Sequence, residues 1–396
     1  MFEVIAPAPP DPILGLTEAF HADTNPRKVN LTVGVYQDDA GHCPILESVK
    51  RAEVELLQSE NTKTYLGIGG MPDFGRDVRK LIFGHEAEAL ADRAVTVQTP
   101  GGTAALRVAA DLVAKNFPSA RAWCSKPTWA NHPNIFRAAG VEVEQYPYAD
   151  AEATGLDLEA MLEGLRQVPA GHLVCLHACC HNPTGIDLDE SAWKLVAAIA
   201  RERKWIPLLD FAYQGFGSGV EEDAIGVRTL ISEGLDLLVA SSYSKNFGLY
   251  GERTGALTAV ASTPESAAAT LSQLKVCIRA NYSNPPKHGA AIVAQVLANG
   301  ELKQIWEREV ESMRYRIRDL RQQFVEHMKP LSNRDFGFLM HQRGMFSFSG
   351  LTPLQVDRLK QEYSIYIVGS GRINIAGLNS QNLEYVCRSV AAVIDD

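Results

Sequence analysis

Between residues 90 and 260 short apolar, β-prone runs alternate with helical stretches, and few architectures accept that pattern. Segments 95–99, 122–125, 141–144, 172–177, 205–210, 235–240 and 254–260 read as strands from their length and composition. Helices fall between them. One carries Leu106, Ala110, Val113 and Phe117 on a single stripe, and another spans Glu190–Arg203. Such alternation builds an α/β fold with a mostly parallel sheet and helices on both faces. Ligands in these sheets gather at the carboxyl ends of the strands. Thr103, Trp129, Asn182, Asp210 and Lys245 each follow a strand-like run, so topology alone directs them to one site.

Lys245 lies in Ser-Ser-Tyr-Ser-Lys-Asn-Phe-Gly-Leu-Tyr-Gly-Glu-Arg, residues 241–253, a small-residue loop between two strands. Hydroxyls precede it and Arg253 follows. A lysine near a cation and away from bulk water loses basicity and becomes a usable nucleophile. Its natural partner is a carbonyl, and pyridoxal phosphate is the common carbonyl cofactor held by lysine. The plain alternative is a solvated surface lysine, so other positions must carry the reading too. Pro-Gly-Gly-Thr, 100–103, joins a strand to a helix. Glycines there leave N–H groups open at the positive end of the helix dipole, which favours a phosphate. A helix start capped by threonine is the bland alternative. Gly34, in the alternating stretch 29–36, either admits a ligand close to the backbone or makes a tight turn.

Asp210 is followed by Tyr213 in Asp-Phe-Ala-Tyr-Gln-Gly, and His-Ala-Cys-Cys-His-Asn-Pro-Thr-Gly occupies 177–185. With the Lys245 loop, these motifs resemble the class I aminotransferases of the aspartate and aromatic amino-acid group, fold-type-I pyridoxal phosphate enzymes. The resemblance runs from Asp-Pro-Ile-Leu-Gly at residue 11 to Ser-Gly-Arg-Ile-Asn-Ile-Ala-Gly at 370–377, nearly the whole chain. It implies a large cofactor-binding domain over 46–311 with a seven-stranded type of sheet. A smaller α+β domain would combine 13–45 with 312–396. An N-terminal arm, 1–12, proline-rich and extended, would pack on the other subunit of a homodimer.

The resemblance also implies roles. Lys245 would hold the cofactor and later act as general base and acid. Asp210 would pair with the protonated pyridine nitrogen, and Asn182 and Tyr213 would hydrogen-bond the phenolate oxygen. Gly102, Thr103, Ser242 and Arg253 would grip the phosphate, with Tyr65 reaching it from the other subunit. Trp129 would stack on the ring, with His132 and His177 behind Trp129 and Asp210. Gly34, Trp129, Asn182 and Arg372 would meet the substrate, Arg372 as the α-carboxylate clamp. Arg279 would bind a distal carboxylate across the dimer. Two arginine clamps fit L-aspartate, 2-oxoglutarate, oxaloacetate and L-glutamate exchanged by a ping-pong mechanism. They equally fit dual-specificity enzymes that also take tyrosine and phenylalanine, so that branch stays open. A pyridoxal phosphate lyase or decarboxylase is a further alternative.

Other classes lose their best signals. There is no G-x-G-x-x-G, G-x-x-x-x-G-K-[ST] or G-x-S-x-G motif. A formal charge of -9 argues against non-specific nucleic-acid binding. Cys175, Cys179, Cys180 and His181 lack the spacing of a metal chelate, so no metal is expected. The odd total of 7 cysteines does not suggest a disulfide framework. No segment reaches the roughly 18 apolar residues of a membrane span, and the start shows no signal-peptide pattern, which together suggest a cytoplasmic protein.

Overall fold

Strands and helices alternate in the computed structural model, which describes residues 1–7, 14–150 and 154–395. β1 (Val29–Asn30) stands apart from the central sheet. That sheet holds β2 (Ala94–Pro100), β3 (Ala122–Lys126), β4 (Val143–Pro147), β5 (Leu173–His177), β6 (Ile206–Phe211), β7 (Leu237–Ser242) and β8 (Thr254–Val260). Its seven strands lie in the order β2-β8-β7-β6-β5-β3-β4. β8 alone runs against its neighbours, pairing antiparallel with both β2 and β7. β5, β7 and β8 are buried along their whole length, as expected for strands covered on both faces.

Local chemistry fixes the helix boundaries. Asp189 caps the helix Glu190–Arg203 by accepting the Ala192 N–H at 2.8 Å, and Lys204 ends it in the left-handed region. Asn299 ends His288–Ala298 and also caps Gly300–Met328, accepting the N–H groups of Glu301 and Leu302. The chain therefore breaks into two helices at the Asn-Gly pair. The long second helix anchors two parts of the site. Trp306 Nε1 donates to Asn246 O at 2.7 Å beside the lysine loop, and Arg321 donates to Gly344 O at 2.6 Å.

The C-terminal part adds β9 (Phe346–Phe348), β10 (Ile365–Tyr366) and β11 (Arg372–Asn374). β10 pairs in parallel with β1, and β11 pairs antiparallel with β9. The first and last parts of the chain are thereby joined.

Several expected boundaries differ for identifiable reasons. β4 starts at Val143, because Val141 N–H donates to Phe136 O through Gly140 at φ +81, closing the preceding helix. Phe117 falls outside its helix and is 44% exposed, since it precedes Pro118, which disfavours the helical conformation. The stretch 29–36 is a strand only at Val29–Asn30. Beyond it, side chains replace the ladder: Arg372 donates to Thr32 O, and Asn374 donates to Val33 O and Val35 O. Phe2–Val4 is a 3-10 turn and not extended; positions 8–12 of the expected arm, and Asp11 where the resemblance begins, lie outside the described residues.

Candidate active site

The carboxyl edge of the central sheet opens into a cavity of about 210 Å³. Its walls include Gly34, Gly102, Thr103, Trp129, Asn182, Asp210, Tyr213, Ser242, Lys245, Arg253 and Arg372, all picked out from the sequence. Strand direction explains the convergence. Trp129, Asn182 and Lys245 follow β3, β5 and β7, Asp210 is the last residue but one of β6, and Ser242 ends β7. Arg253 precedes β8, which runs the other way, so its start meets the ends of the others.

The Lys245 amine faces this cavity and makes no hydrogen bond or ion pair among the described residues. Its protein contact is the Tyr213 ring, 4.8 Å from Nζ to the centroid. Burial lowers its pKa to about 8, with Asp210 opposing the shift and Arg253 adding to it. Most buried polar groups have partners; this amine is left available. The depressed pKa has a stability consequence. Below pH 8 the amine is charged in both the folded and the unfolded apoprotein, and the folded chain bears the full desolvation penalty. Between pH 8 and 10.5 the unfolded chain binds more protons, so the penalty fades as pH rises. Lys245→Met is therefore expected to stabilise the apoprotein at pH 7 by about 2 kcal/mol, cavity water screening part of the shift. The gain should vanish above pH 10.5 in denaturant titrations. A gain independent of pH would contradict this account.

Asp210 is buried, and burial alone would raise its pKa. The hydrogen bond from His132 Nε2 at 2.9 Å, with the electrostatic pull of His132 and Lys245, instead holds it below the ordinary carboxylate value. It is thus an anion at neutral pH. His132 also bonds Thr128 Oγ1 at 2.8 Å and meets the Trp129 ring edge-on. His177 packs 5.1 Å from His132 without a hydrogen-bond partner among the described residues, and burial lowers its pKa to about 3, keeping it neutral. Burial raises the Tyr213 phenol, which stays protonated.

Across the cavity lies an anion cradle. Helix Gly101–Asn116 starts without a side-chain cap, so the threonine-cap alternative fails and its first N–H groups stay open. A Cβ on Gly255 would lie 2.5 Å from Gly101 C, so the missing side chain lets β8 press against the helix start. A Cβ on Gly101, at φ +80, would meet Arg253 Nη2 at 2.6 Å. Ser242, Ser244 and Arg253 complete the cradle wall.

Arg372 is buried with no ion pair among the described residues. It donates to Asn182 Oδ1 at 3.2 Å and Thr32 O at 2.7 Å, and it lies 4.0 Å above the Phe346 ring. Its Nε has no partner among the described residues. Burial lowers its pKa to about 10, so it is a cation at neutral pH. A buried unpaired cation is costly unless a ligand supplies the anion.

Tyr65 and Arg279 do not line the cavity. Tyr65 is 91% exposed, and Arg279 is exposed with Ser283 Oγ as its one hydrogen-bond partner among the described residues. The sequence reading missed Leu106, Ala212, Ser244 and Phe346. Ser244 could have been inferred from its place beside Lys245. Phe346 could not: an aromatic residue in a short strand reads as core. Phe346 also explains Gly34, where a Cβ would sit 2.7 Å from its ring.

Comparison with known proteins agrees with this geometry. The family model for aminotransferase class I and II matches residues 26–390. The aspartate aminotransferase of Salmonella typhi is 53% identical over the full length of both chains. An aromatic-amino-acid aminotransferase of Pseudomonas aeruginosa is 48% identical, covering all of this chain and 99% of its own. Among solved structures, the aromatic-amino-acid aminotransferase of Burkholderia pseudomallei, covalently bound to pyridoxal phosphate, superposes with a TM-score of 0.97. It is 48% identical over all of this chain and 99% of that one. This chain belongs to the class I and II aminotransferases.

Proposed function

We propose that the protein is a pyridoxal phosphate-dependent aspartate aminotransferase, moving the amino group from L-aspartate to 2-oxoglutarate by a ping-pong mechanism. The observation that carries the reading is the unpartnered Lys245 amine, set between the Asp210 carboxylate and an uncapped helix start with Arg253. An amine, a carboxylate and an anion cradle suit the cofactor's carbonyl, pyridine nitrogen and phosphate. Bound there, the cofactor supplies an electron sink for the substrate α-carbon. Lys245 then moves the α-proton, Asp210 holds the pyridinium proton, and Asn182 and Tyr213 offer hydrogen bonds to the ring oxygen. Trp129 covers the ring, and Arg372 fixes the α-carboxylate beside Gly34. The aspartate aminotransferases among the relatives, up to 53% identical, support aspartate. An aromatic relative at 48% keeps dual specificity as the second reading.

The same reading makes the protein a homodimer with shared active sites. Tyr65 and Arg279, exposed on their own chain, would complete the partner's cavity, and the 1–12 arm would embrace it. A small domain of 13–45 and 312–396, hinged on a large domain of 46–311, belongs to this proposal. So does a cytoplasmic location, in keeping with the free thiols. No helix among the described residues is long and apolar enough to cross a membrane.

The deciding experiment follows the donor half-reaction by cofactor absorbance, with aspartate and phenylalanine in parallel. Conversion by aspartate alone supports the first reading, comparable conversion by both the second; conversion by neither refutes the function. Arg279→Ala should lower kcat/KM for aspartate by about 10²-fold and that for phenylalanine by less than about threefold, the loss of one charged clamp. Equal losses would remove Arg279 from substrate selection. Mixing the Arg279→Ala and Lys245→Ala chains should restore about a quarter of wild-type activity, because random pairing rebuilds one intact site per mixed dimer. No recovery after verified subunit exchange would contradict shared sites.

A further inference from the structure

Beside the backbone of Tyr213, the sulfurs of Cys179 and Cys180 and a carboxylate oxygen of Asp223 lie within 4.8 Å of one another, all buried. We propose that this trio binds a soft, thiol-seeking divalent cation, and that the bound cation slows the enzyme. Adjacent cysteines lack a chelating spacing in the sequence; the fold supplies the missing ligand from Asp223. Two sulfurs and one carboxylate oxygen suit zinc- or cadmium-like ions, with a fourth position left to water.

The carboxylate is already aimed. Asp223 accepts the N–H groups of Gly215, Gly217, Ser218 and Gly219 at 2.8, 2.9, 2.7 and 3.4 Å. Such bonds fix a ligand's orientation, and the longest is the one a cation would displace. A route also exists. Cys179 and Asp223 line a second cavity of about 270 Å³ together with Asp187, Asp189 and Glu222, opposed by Arg343 and His341. The excess of carboxylates concentrates cations at its mouth.

Binding is a ligand exchange without oxidation: two S–H bonds break, two metal–sulfur bonds form, and two protons leave to solvent. The consequence for catalysis follows from connectivity. Cys180 Sγ donates to Tyr213 O at 3.9 Å, and Asn182 lies two residues on; Tyr213 and Asn182 both line the catalytic cavity. A Cβ at Gly344 would stand 2.5 Å from Cys180 Cβ, so Cys180 cannot shift without disturbing its neighbours.

The test titrates cadmium chloride into the holoenzyme carrying Cys43→Ser, which removes the exposed thiol. The expected result is one cadmium per chain, a thiolate-to-cadmium absorption band and sulfur neighbours in X-ray absorption. The rate should fall on the order of 10²-fold, the effect of a small displacement in the site, and recover with chelator. Cys179→Ala with Cys180→Ala should lose the band and keep its rate in cadmium. A coordination shell of oxygen and nitrogen alone, or an unchanged band in the double variant, overturns the site. The X-ray measurement needs no variant, so misfolding cannot obscure it. Sulfur-bound cadmium with an unchanged rate overturns the link to catalysis.

Discussion

Replacing Lys245 with alanine is expected to lower kcat for transamination of aspartate by about 10⁴-fold or more, with the fold retained. The prediction rests on what Lys245 does not do in the protein. Its amine takes no hydrogen bond or ion pair among the described residues, and burial lowers its pKa to about 8. Such a group is poorly explained by stability, since a methyl-rich side chain there would bury better. It is well explained by proton transfer, where a pKa near the working pH serves both directions. Asp210 must remain an anion at the same time, and the His132 hydrogen bond helps to keep it one. The measurement is single-turnover conversion with aspartate, alongside circular dichroism and thermal melting. A folded variant within tenfold of wild type would end Lys245's role as the proton carrier.

Strand ends made most of the cavity readable from the sequence. Asp210 ends an apolar run and Lys245 follows one in the next loop, so a parallel sheet brings both to one edge. What escaped notice depends on contacts distant in sequence. The reversed direction of β8, which carries Arg253 to the cradle, has no local pattern to reveal it, and Arg253 was placed there by resemblance alone. Phe346 and Gly34 explain each other only after the chain's two ends meet through β1 and β10. The irregular course of 32–35 has the same origin, since its carbonyls are taken by Arg372 and Asn374 rather than by a strand. Tyr65 and Arg279 are a different case. A single chain leaves both exposed, so their roles came from resemblance, and the subunit-mixing experiment tests that of Arg279.

Arg372→Leu is expected to reduce kcat/KM for every amino acid by about 10²–10⁴-fold, the worth of two charge-assisted hydrogen bonds at roughly 1.5–3 kcal/mol each. Arg372→Lys should recover little of it, because an ammonium keeps the charge and loses the planar fork. The electrostatics make the prediction sharper than a simple loss of activity. Arg372 is a buried cation without a carboxylate partner among the described residues, and burial lowers its pKa to about 10. Holding that charge without an anion destabilises the folded chain, so the leucine variant should melt no lower than wild type even though it gives up the bonds to Thr32 and Asn182. A simple amine without a carboxylate provides the control, since its slow reaction with the cofactor should be the same in both proteins. If the amine and amino-acid rates fall together, the arginine organises the site and does not clamp the substrate. If only the amino-acid rates fall while stability holds, the cation is kept in the protein for the anion it receives.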